Sequence, residues 1–248
     1  MIFPIGDTNV KGGSKPLFAY SLIVINIIIF LIQVQVEGNL VCEFATVPSE
    51  IVAGRDWHTL LSSMFLHGGW MHLIGNMLFL WVFADNIEAV AGNINFIIFY
   101  ILGGLFASGA HIALELMVGG DGSLAACCAP CATGSECTIT DNLCAGSIPS
   151  LGASGAISAV MGAYLVMFPK STIKVLVFIW TIRVSALMFL GLWFLEQLMS
   201  GIGGLSIVSA QSAGVAWWAH IGGFVFGLGY GFLNRNLTKD LNKVQDFS

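Results

Sequence analysis

The fold is decided by residues 17–36, which read LFAYSLIVINIIIFLIQVQV and contain no charged side chain. About 20 mostly apolar residues in succession are enough for an α-helix to cross the hydrocarbon core of a bilayer. The rest of the 248-residue chain has the same character, since 56% of its residues are hydrophobic and 9% are charged. Soluble domains carry about 25% charge. The composition therefore indicates a membrane protein, argues against a soluble enzyme and excludes a disordered chain.

Six segments reach or approach this length, which predicts an all-α, polytopic bundle of six transmembrane helices. They are residues 17–36, 69–90, 95–118, 152–169, 184–199 and 215–233. Residues 17–235 then form the membrane domain, and residues 1–16 and 236–248 form short segments at its two ends. The first segment is not interpreted as a cleaved signal peptide, because its apolar run is long and no small-residue cleavage pattern follows it.

The basic residues predict the orientation of the bundle. Of the nine Lys and Arg residues, all except Arg55 precede the first span, lie between the fourth and fifth spans, or follow the sixth. Positive charge collects on the cytoplasmic side of a membrane, so we expect a multi-pass cell-membrane protein with both termini in the cytoplasm. The apolar stretch 173–182 is too short to cross and is predicted to lie at the cytoplasmic interface. The formal net charge of -5 argues against a nucleic-acid partner.

The cysteines lie in the two loops that this topology places outside. The loop 119–151 holds five of the six cysteines of the chain. They are Cys127, Cys128, Cys131, Cys137 and Cys144, and Cys42 lies in the first external loop. An even number of cysteines in an oxidising compartment favours disulfide bonds. A zinc site at the Cys-x-x-Cys spacing is the weaker alternative, because the loop contains no histidine, so we predict no metal.

Few polar residues interrupt the spans, and ionisable groups at membrane depth are candidates for function. Ser154 opens the fourth span and His220 opens the sixth. At a helical rise of about 1.5 Å per residue, Ser154 lies roughly 24 Å from Lys170 and His220 lies roughly 22 Å from Arg235. The two side chains are therefore predicted at matching depth, a little below the outer surface. A serine hydroxyl beside an imidazole is the minimal arrangement for nucleophilic catalysis.

A second polar pair, His72 and Asn76, lies four residues apart at the start of the second span and hence on one helix face. Both side chains can donate N–H groups to an oxyanion. No acidic residue is evident that would join Ser154 and His220 as a third catalytic group. Each pattern alone also fits an interhelical hydrogen bond or helix packing. Packing is the interpretation we give to Gly223 and Gly227 in the sixth span. His111 can simply pair with Glu115.

Taken together, these residues resemble the rhomboid family of intramembrane serine proteases. The matching stretches are MFLHGGWMHLIGN (64–76), DNIE (85–88) followed by Gly92, GASG (152–155) and AHIGG (219–223). The resemblance implies a six-helix bundle that cleaves single-span membrane proteins in or near their transmembrane segments, with no cofactor. It implies that Ser154 is the nucleophile within a Gly152–Gly155 motif and that His220 is the general base. It also implies that the Ser154 N–H, His72 and Asn76 form the oxyanion site, and that Glu88 is structural.

The sequence departs from the family pattern in three places. Trp57 is followed by His58 where a Trp-Arg pair is usual, Ala84 replaces a glycine, and the cysteine-rich loop is long. Two other functions remain as alternatives. An inactive relative that binds transmembrane helices would lack the serine or the histidine, and both are present here. A transporter would carry ionisable residues along a whole crossing pathway, whereas the inner halves of the fourth and sixth spans are apolar.

Overall fold

The computed structural model describes residues 2–8, 10, 12–36, 40–118, 149–206 and 216–245. The described helices are α1 (Leu17–Gln35), α2 (Leu40–Phe44), α3 (Pro48–Val52), α4 (Thr59–Ser62), α5 (Trp70–Ala91), α6 (Asn93–Val118), α7 (Ser154–Met167), α8 (Ala186–Ser206) and α9 (Trp217–Gln245). A short 3-10 turn, Ser63–Phe65, follows α4. Each of the six predicted spans corresponds to one of the long helices, so the predicted polytopic helical bundle is confirmed.

The long helices differ in whether they are long and apolar enough to cross a membrane. Helices α1 and α5, the stretch Asn93–Glu115 of α6 and the stretch Ala186–Gly203 of α8 are long and apolar enough to cross. Helix α7 has 14 residues, about 21 Å at 1.5 Å per residue, against a hydrocarbon core of about 30 Å. Most of α7 is buried. It is therefore a short helix enclosed by longer ones, which bring lipid-facing surface to the outside of the bundle.

Helix α7 packs against α9 with almost no side chains between the two backbones. A Cβ added to Gly227 would lie 1.9 Å from Ala159 O, and one added to Gly162 would lie 2.1 Å from Phe224 O. Only glycine permits such an approach, which is the usual way in which small residues bring membrane helices together. Gly223 and Gly227, the two glycines that the sequence indicates as packing residues, therefore lie on the face of α9 that contacts α7.

A three-stranded antiparallel sheet lies beyond the ends of these helices. Strand β1 (Ile2–Gly6) pairs with β2 (Thr172–Val177), which pairs with β3 (Trp180–Ser185). The apolar stretch predicted to be interfacial thus forms a β-hairpin. Ile173 and Val175 alternate on its buried face, as the period of a strand requires, while Phe178 and Ile179 at the turn are exposed.

Polar contacts hold the helix ends together beside this sheet. Glu88, near the end of α5, accepts hydrogen bonds from the backbone N–H groups of Phe18 (2.9 Å) and Ala19 (2.7 Å) in the first turn of α1. The Asp7 carboxylate accepts hydrogen bonds from the Asn86 amide (2.6 Å) and from the Tyr164 hydroxyl. We call this the basic end of the bundle, since it carries Lys15, Lys170, Lys174 and Arg183.

The opposite end, where α5, α7 and α9 begin, is shaped by the connection between α1 and α5. Thr46 and Ser150 form an antiparallel β-bridge in which each backbone N–H donates to the other residue's carbonyl oxygen. The N···O distance is 3.0 Å from Thr46 N to Ser150 O and 2.8 Å from Ser150 N to Thr46 O. The Thr46 hydroxyl also donates to Thr59 O. The bridge fixes the chain that leads into α7, and therefore fixes where the first residue of that helix lies.

Candidate active site

Ser154 is the first residue of α7, and the chain reaches it through a turn that favours glycine at position 152. Gly152 has a φ of +121°, a conformation that glycine adopts readily and other residues adopt rarely. Its N–H donates to Ser63 O over 2.8 Å. The first N–H groups of a helix have no acceptor within the helix. The turn thus presents the Ser154 hydroxyl together with backbone donors at the start of α7.

His220 lies in the first turn of α9 and faces this serine. Its Nε2 atom is 2.8 Å from Ser154 Oγ, within hydrogen-bond range. Both side chains are partly exposed. The imidazole ring has Trp193 and Trp217 beside it, with ring centroids 5.9 and 6.3 Å away. The structure therefore brings together the two residues that the sequence predicts as nucleophile and base.

Close helix packing sets the distance between Ser154 and His220. Gly155 directly follows the serine, and Gly223 lies one turn after the histidine. A Cβ added to Gly223 would lie 2.1 Å from Gly155 O. Any larger residue at position 223 must separate α7 from α9 at the level of the Ser–His pair.

His72 lies against the same turn. A Cβ added to Gly152 would lie 2.8 Å from His72 Nε2 and 3.6 Å from Ser154 Oγ. The Gly68 N–H donates to His72 Nδ1 over 3.3 Å, which makes Nδ1 an acceptor. In a neutral imidazole the other nitrogen then carries the proton. The ring therefore turns an Nε2–H donor toward the turn before Ser154.

Asn76 lies one turn after His72 on the same face of α5. Its side chain is buried, with 8% exposed. Its Nδ2 group finds no hydrogen-bond acceptor among the residues that the structure describes. Buried polar groups are almost always hydrogen-bonded, and an exception calls for an explanation. An acceptor that arrives with a substrate would supply the missing partner.

A family model described as the Rhomboid domain matches residues 54–236. The chain belongs to the rhomboid family. It is similar to the Rhomboid protease GluP of Bacillus subtilis (strain 168), with 25% identity over 64% of this chain and 26% of the relative. It is also similar to the mitochondrial Rhomboid protein 1 of Saccharomyces cerevisiae (strain ATCC 204508 / S288c), with 26% identity over 86% of this chain and 52% of the relative. The chain thus spans about a quarter and about half of the lengths of these relatives.

Sequence reasoning missed one polar residue of this rhomboid domain. Gln197 of α8 is buried, with 4% exposed, and its Oε1 atom is 2.6 Å from His220 Nδ1. The available signal was the pair Glu196 and Gln197 within an otherwise apolar span, because polar residues at membrane depth are functional candidates. Nothing in the pattern of residues indicates that α8 turns this side chain toward α9.

The remaining histidines of the rhomboid domain have other surroundings. His58 is exposed and lies edge-on to Phe44. His67 is fully buried, with its ring centroid 5.1 Å from that of His72. His111 Nδ1 lies 3.9 Å from the Glu115 carboxylate on the same face of α6, which is too far for a hydrogen bond.

The predicted cysteine chemistry lies mostly beyond the described residues. Cys42 is disulfide-bonded, whereas the cysteines of loop 119–151 fall outside the described ranges, so disulfide pairing in that loop stays a prediction. Within the part of the chain that the structure describes, no three His, Cys, Asp or Glu side chains are placed to hold a metal ion.

Proposed function

We propose that this rhomboid protein is an intramembrane serine endopeptidase with Ser154 as nucleophile and His220 as general base. The observation that carries the proposal is the 2.8 Å distance between Ser154 Oγ and His220 Nε2. A neutral imidazole at this distance accepts the hydroxyl proton as the oxygen attacks a carbonyl carbon. The similarity to GluP of Bacillus subtilis, a rhomboid protease, supports the same activity.

The reaction proceeds by acyl transfer. As Ser154 Oγ bonds to the scissile carbonyl carbon, its proton moves to His220 Nε2 and the carbonyl oxygen becomes an oxyanion. The tetrahedral intermediate then collapses, the C–N bond breaks and His220 returns the proton to the departing amine. A water molecule, deprotonated in turn by His220, attacks the acyl ester. The new carboxyl end leaves and the serine hydroxyl is restored.

The oxyanion is stabilised by donors that the site already holds. His72 contributes its Nε2–H, and Asn76 contributes the Nδ2 group that has no partner among the described residues. The Ser154 backbone N–H is the third donor. Donors fixed in advance near a water-poor site stabilise a developing negative charge strongly, because little reorganisation is needed.

The substrates we propose are single-span membrane proteins, cleaved in or near the transmembrane segment. Peptide bonds in a membrane helix are shielded and hydrogen-bonded, so the segment must unwind locally before its carbonyl reaches Ser154. We further propose that the protein resides in a cell membrane with the basic end facing the cytoplasm. This orientation follows the positive-inside rule and places the Ser–His pair toward the outer face.

The test is co-expression with a tagged single-span substrate. Wild type should release a shortened product, and Ser154→Ala and His220→Ala should release none. The matched control is Ser158→Ala, which removes a hydroxyl one turn further along α7 that donates to Ser154 O and should leave cleavage near wild type. A fluorophosphonate probe should label wild type and fail to label Ser154→Ala. Equal cleavage by all variants would refute the proposal, and no cleavage by any of them would favour an inactive helix-binding relative.

A further inference from the structure

We propose that Gln197 is the third member of the reactive group and positions His220 for catalysis. The inference rests on the function proposed above. Gln197 Oε1 lies 2.6 Å from His220 Nδ1, and the side chain is almost fully buried. The imidazole is therefore held between Ser154 on one nitrogen and Gln197 on the other.

The role of His220 as the base determines which group donates in each of its two hydrogen bonds. To take the proton from Ser154, His220 Nε2 must carry a lone pair, so the proton of the neutral ring must lie on Nδ1. That Nδ1–H needs an acceptor, and an amide oxygen is one. The alternative tautomer, with the proton on Nε2, would leave His220 unable to act as the base.

The orientation of the Gln197 amide follows from its second partner. Its Nε2 group donates to the Glu196 carboxylate, which accepts hydrogen bonds only. Since the NH₂ end is held there, the oxygen end faces His220. Glu196 is exposed, so a charge at the surface of the bundle fixes a neutral amide next to the reactive pair.

A neutral partner suits this location better than a carboxylate would. A carboxylate buried at membrane depth is costly unless it is paired, whereas the amide supplies an acceptor without a buried charge. The ring is also confined by Trp193, one turn before Gln197 on α8, with centroids 5.9 Å apart. Helix α8 thus contributes both a hydrogen bond and a packing surface to the histidine of α9.

The experiment measures kcat and KM for a single-span substrate in detergent, with Gln197→Met and Gln197→Glu as the variants. Methionine keeps the length of the side chain and removes the acceptor. Glutamate keeps an oxygen that accepts from Nδ1–H in either protonation state. We expect Gln197→Met to lower kcat by about 10²-fold with little change in KM, since loss of the group that orients a catalytic histidine costs up to about 10⁴-fold. Gln197→Glu should recover most of that loss.

The control is Leu190→Met, a volume-conserving change at a fully buried position of the same helix, which should retain wild-type kcat. The inference is overturned if Gln197→Met keeps wild-type kcat. It is also overturned if the Met and Glu variants lose kcat equally while their melting temperatures fall together, because that result indicates packing alone. Activity that survives in Ser154→Ala would instead refute the proposed function, so the two failures are distinguishable.

A second measurement is made on the wild-type protein and does not depend on whether a variant at position 197 folds. Nitrogen-15 NMR of labelled imidazoles distinguishes the two tautomers, and the signal of His220 is the one that disappears in His220→Ala. Wild type should show the Nδ1–H tautomer. An Nε2–H tautomer in wild type would overturn the inference.

Discussion

Replacing Gly223 by alanine tests whether helix packing sets the geometry of the Ser–His pair. A Cβ at this position would lie 2.1 Å from Gly155 O, whereas ordinary contacts begin at 3.4 Å. The backbone of α9 must therefore move away from α7 by about 1.3 Å, the difference between these two distances. Added to the 2.8 Å between Ser154 Oγ and His220 Nε2, this shift gives about 4 Å, which is beyond hydrogen-bond range.

The expected result is a fall in kcat of about 10²-fold, the cost of a misplacement of about 1 Å at a reacting centre. The fold should survive. Alanine gains about 1 kcal/mol of helix propensity over glycine, and overpacking costs about 1–3 kcal/mol. The free energy of unfolding should therefore fall by at most about 2 kcal/mol. Cleavage of a tagged single-span substrate measures kcat, and a thermal melt in detergent measures stability.

The matched control is Gly229→Ala, on the same helix, where an added Cβ would meet nothing within 4 Å. It should gain the same propensity, separate no helices and keep wild-type kcat. Wild-type cleavage by Gly223→Ala would refute the reasoning, since the close approach would then have no bearing on the dyad. Equal losses in both glycine variants would refute it as well.

Three further predictions concern other parts of the molecule. Asn76→Ala should lower kcat by about 10²–10³-fold with KM little changed, because it removes an oxyanion donor; a rise in KM at constant kcat would contradict this role. Glu88→Ala leaves the buried N–H of Ala19 and the partly buried N–H of Phe18 without their acceptor, and a buried unsatisfied donor costs about 1–3 kcal/mol. The melting temperature of Glu88→Ala should therefore fall well below that of Glu50→Ala, which breaks an exposed ion pair, and similar melting temperatures would contradict this role for Glu88. Burial raises the pKa of the Asp7 carboxyl above its ordinary value of 3.8. The contribution of Asp7 to stability is therefore fully present below pH 3.8, and it is lost as the pH rises through the pKa that Asp7 has in the folded protein. The melting temperature of Asp7→Asn relative to wild type should therefore increase from about pH 4 to about pH 7, and parallel curves would show that Asp7 does not titrate in this way.

The long helices could be predicted because the signal is local. Residues 17–36 form an uninterrupted apolar run, and α1 ends at Gln35, within one residue of the prediction. The start of α7 differs by two residues from the predicted start at 152, since Gly152 takes a positive φ that a helix cannot accommodate. Boundaries depend on such single-residue geometry, which the pattern of apolar residues does not encode.

The sheet and Gln197 could not be predicted because both depend on contacts between distant parts of the chain. Strand β1 pairs with a hairpin about 170 residues further along the chain, with Phe3 opposite Leu176, and a strand of five residues near the start of the chain gives no periodic signal of its partner. Gln197 meets His220 only because α8 presents that side of its surface to α9. By contrast, Ser154 and His220 could be matched in depth from the sequence, since each belongs to a span whose anchor was identifiable.

The short length of α7 explains how a polar reaction can take place within this bundle. Its last turn is held at the basic end, where the Tyr164 hydroxyl contacts Asp7 and Ser171. If that end lies at one membrane surface, fourteen residues, about 21 Å of helix, would place the first residue of α7 below the opposite surface of a core of about 30 Å. The positive end of the helix dipole and its free N–H groups therefore lie where Ser154 would generate an oxyanion. A longer α7 would carry the serine out to bulk water, where the same donors stabilise a developing negative charge less. The glycines of α9 let that helix approach α7 closely, and so short a helix therefore remains enclosed by its neighbours.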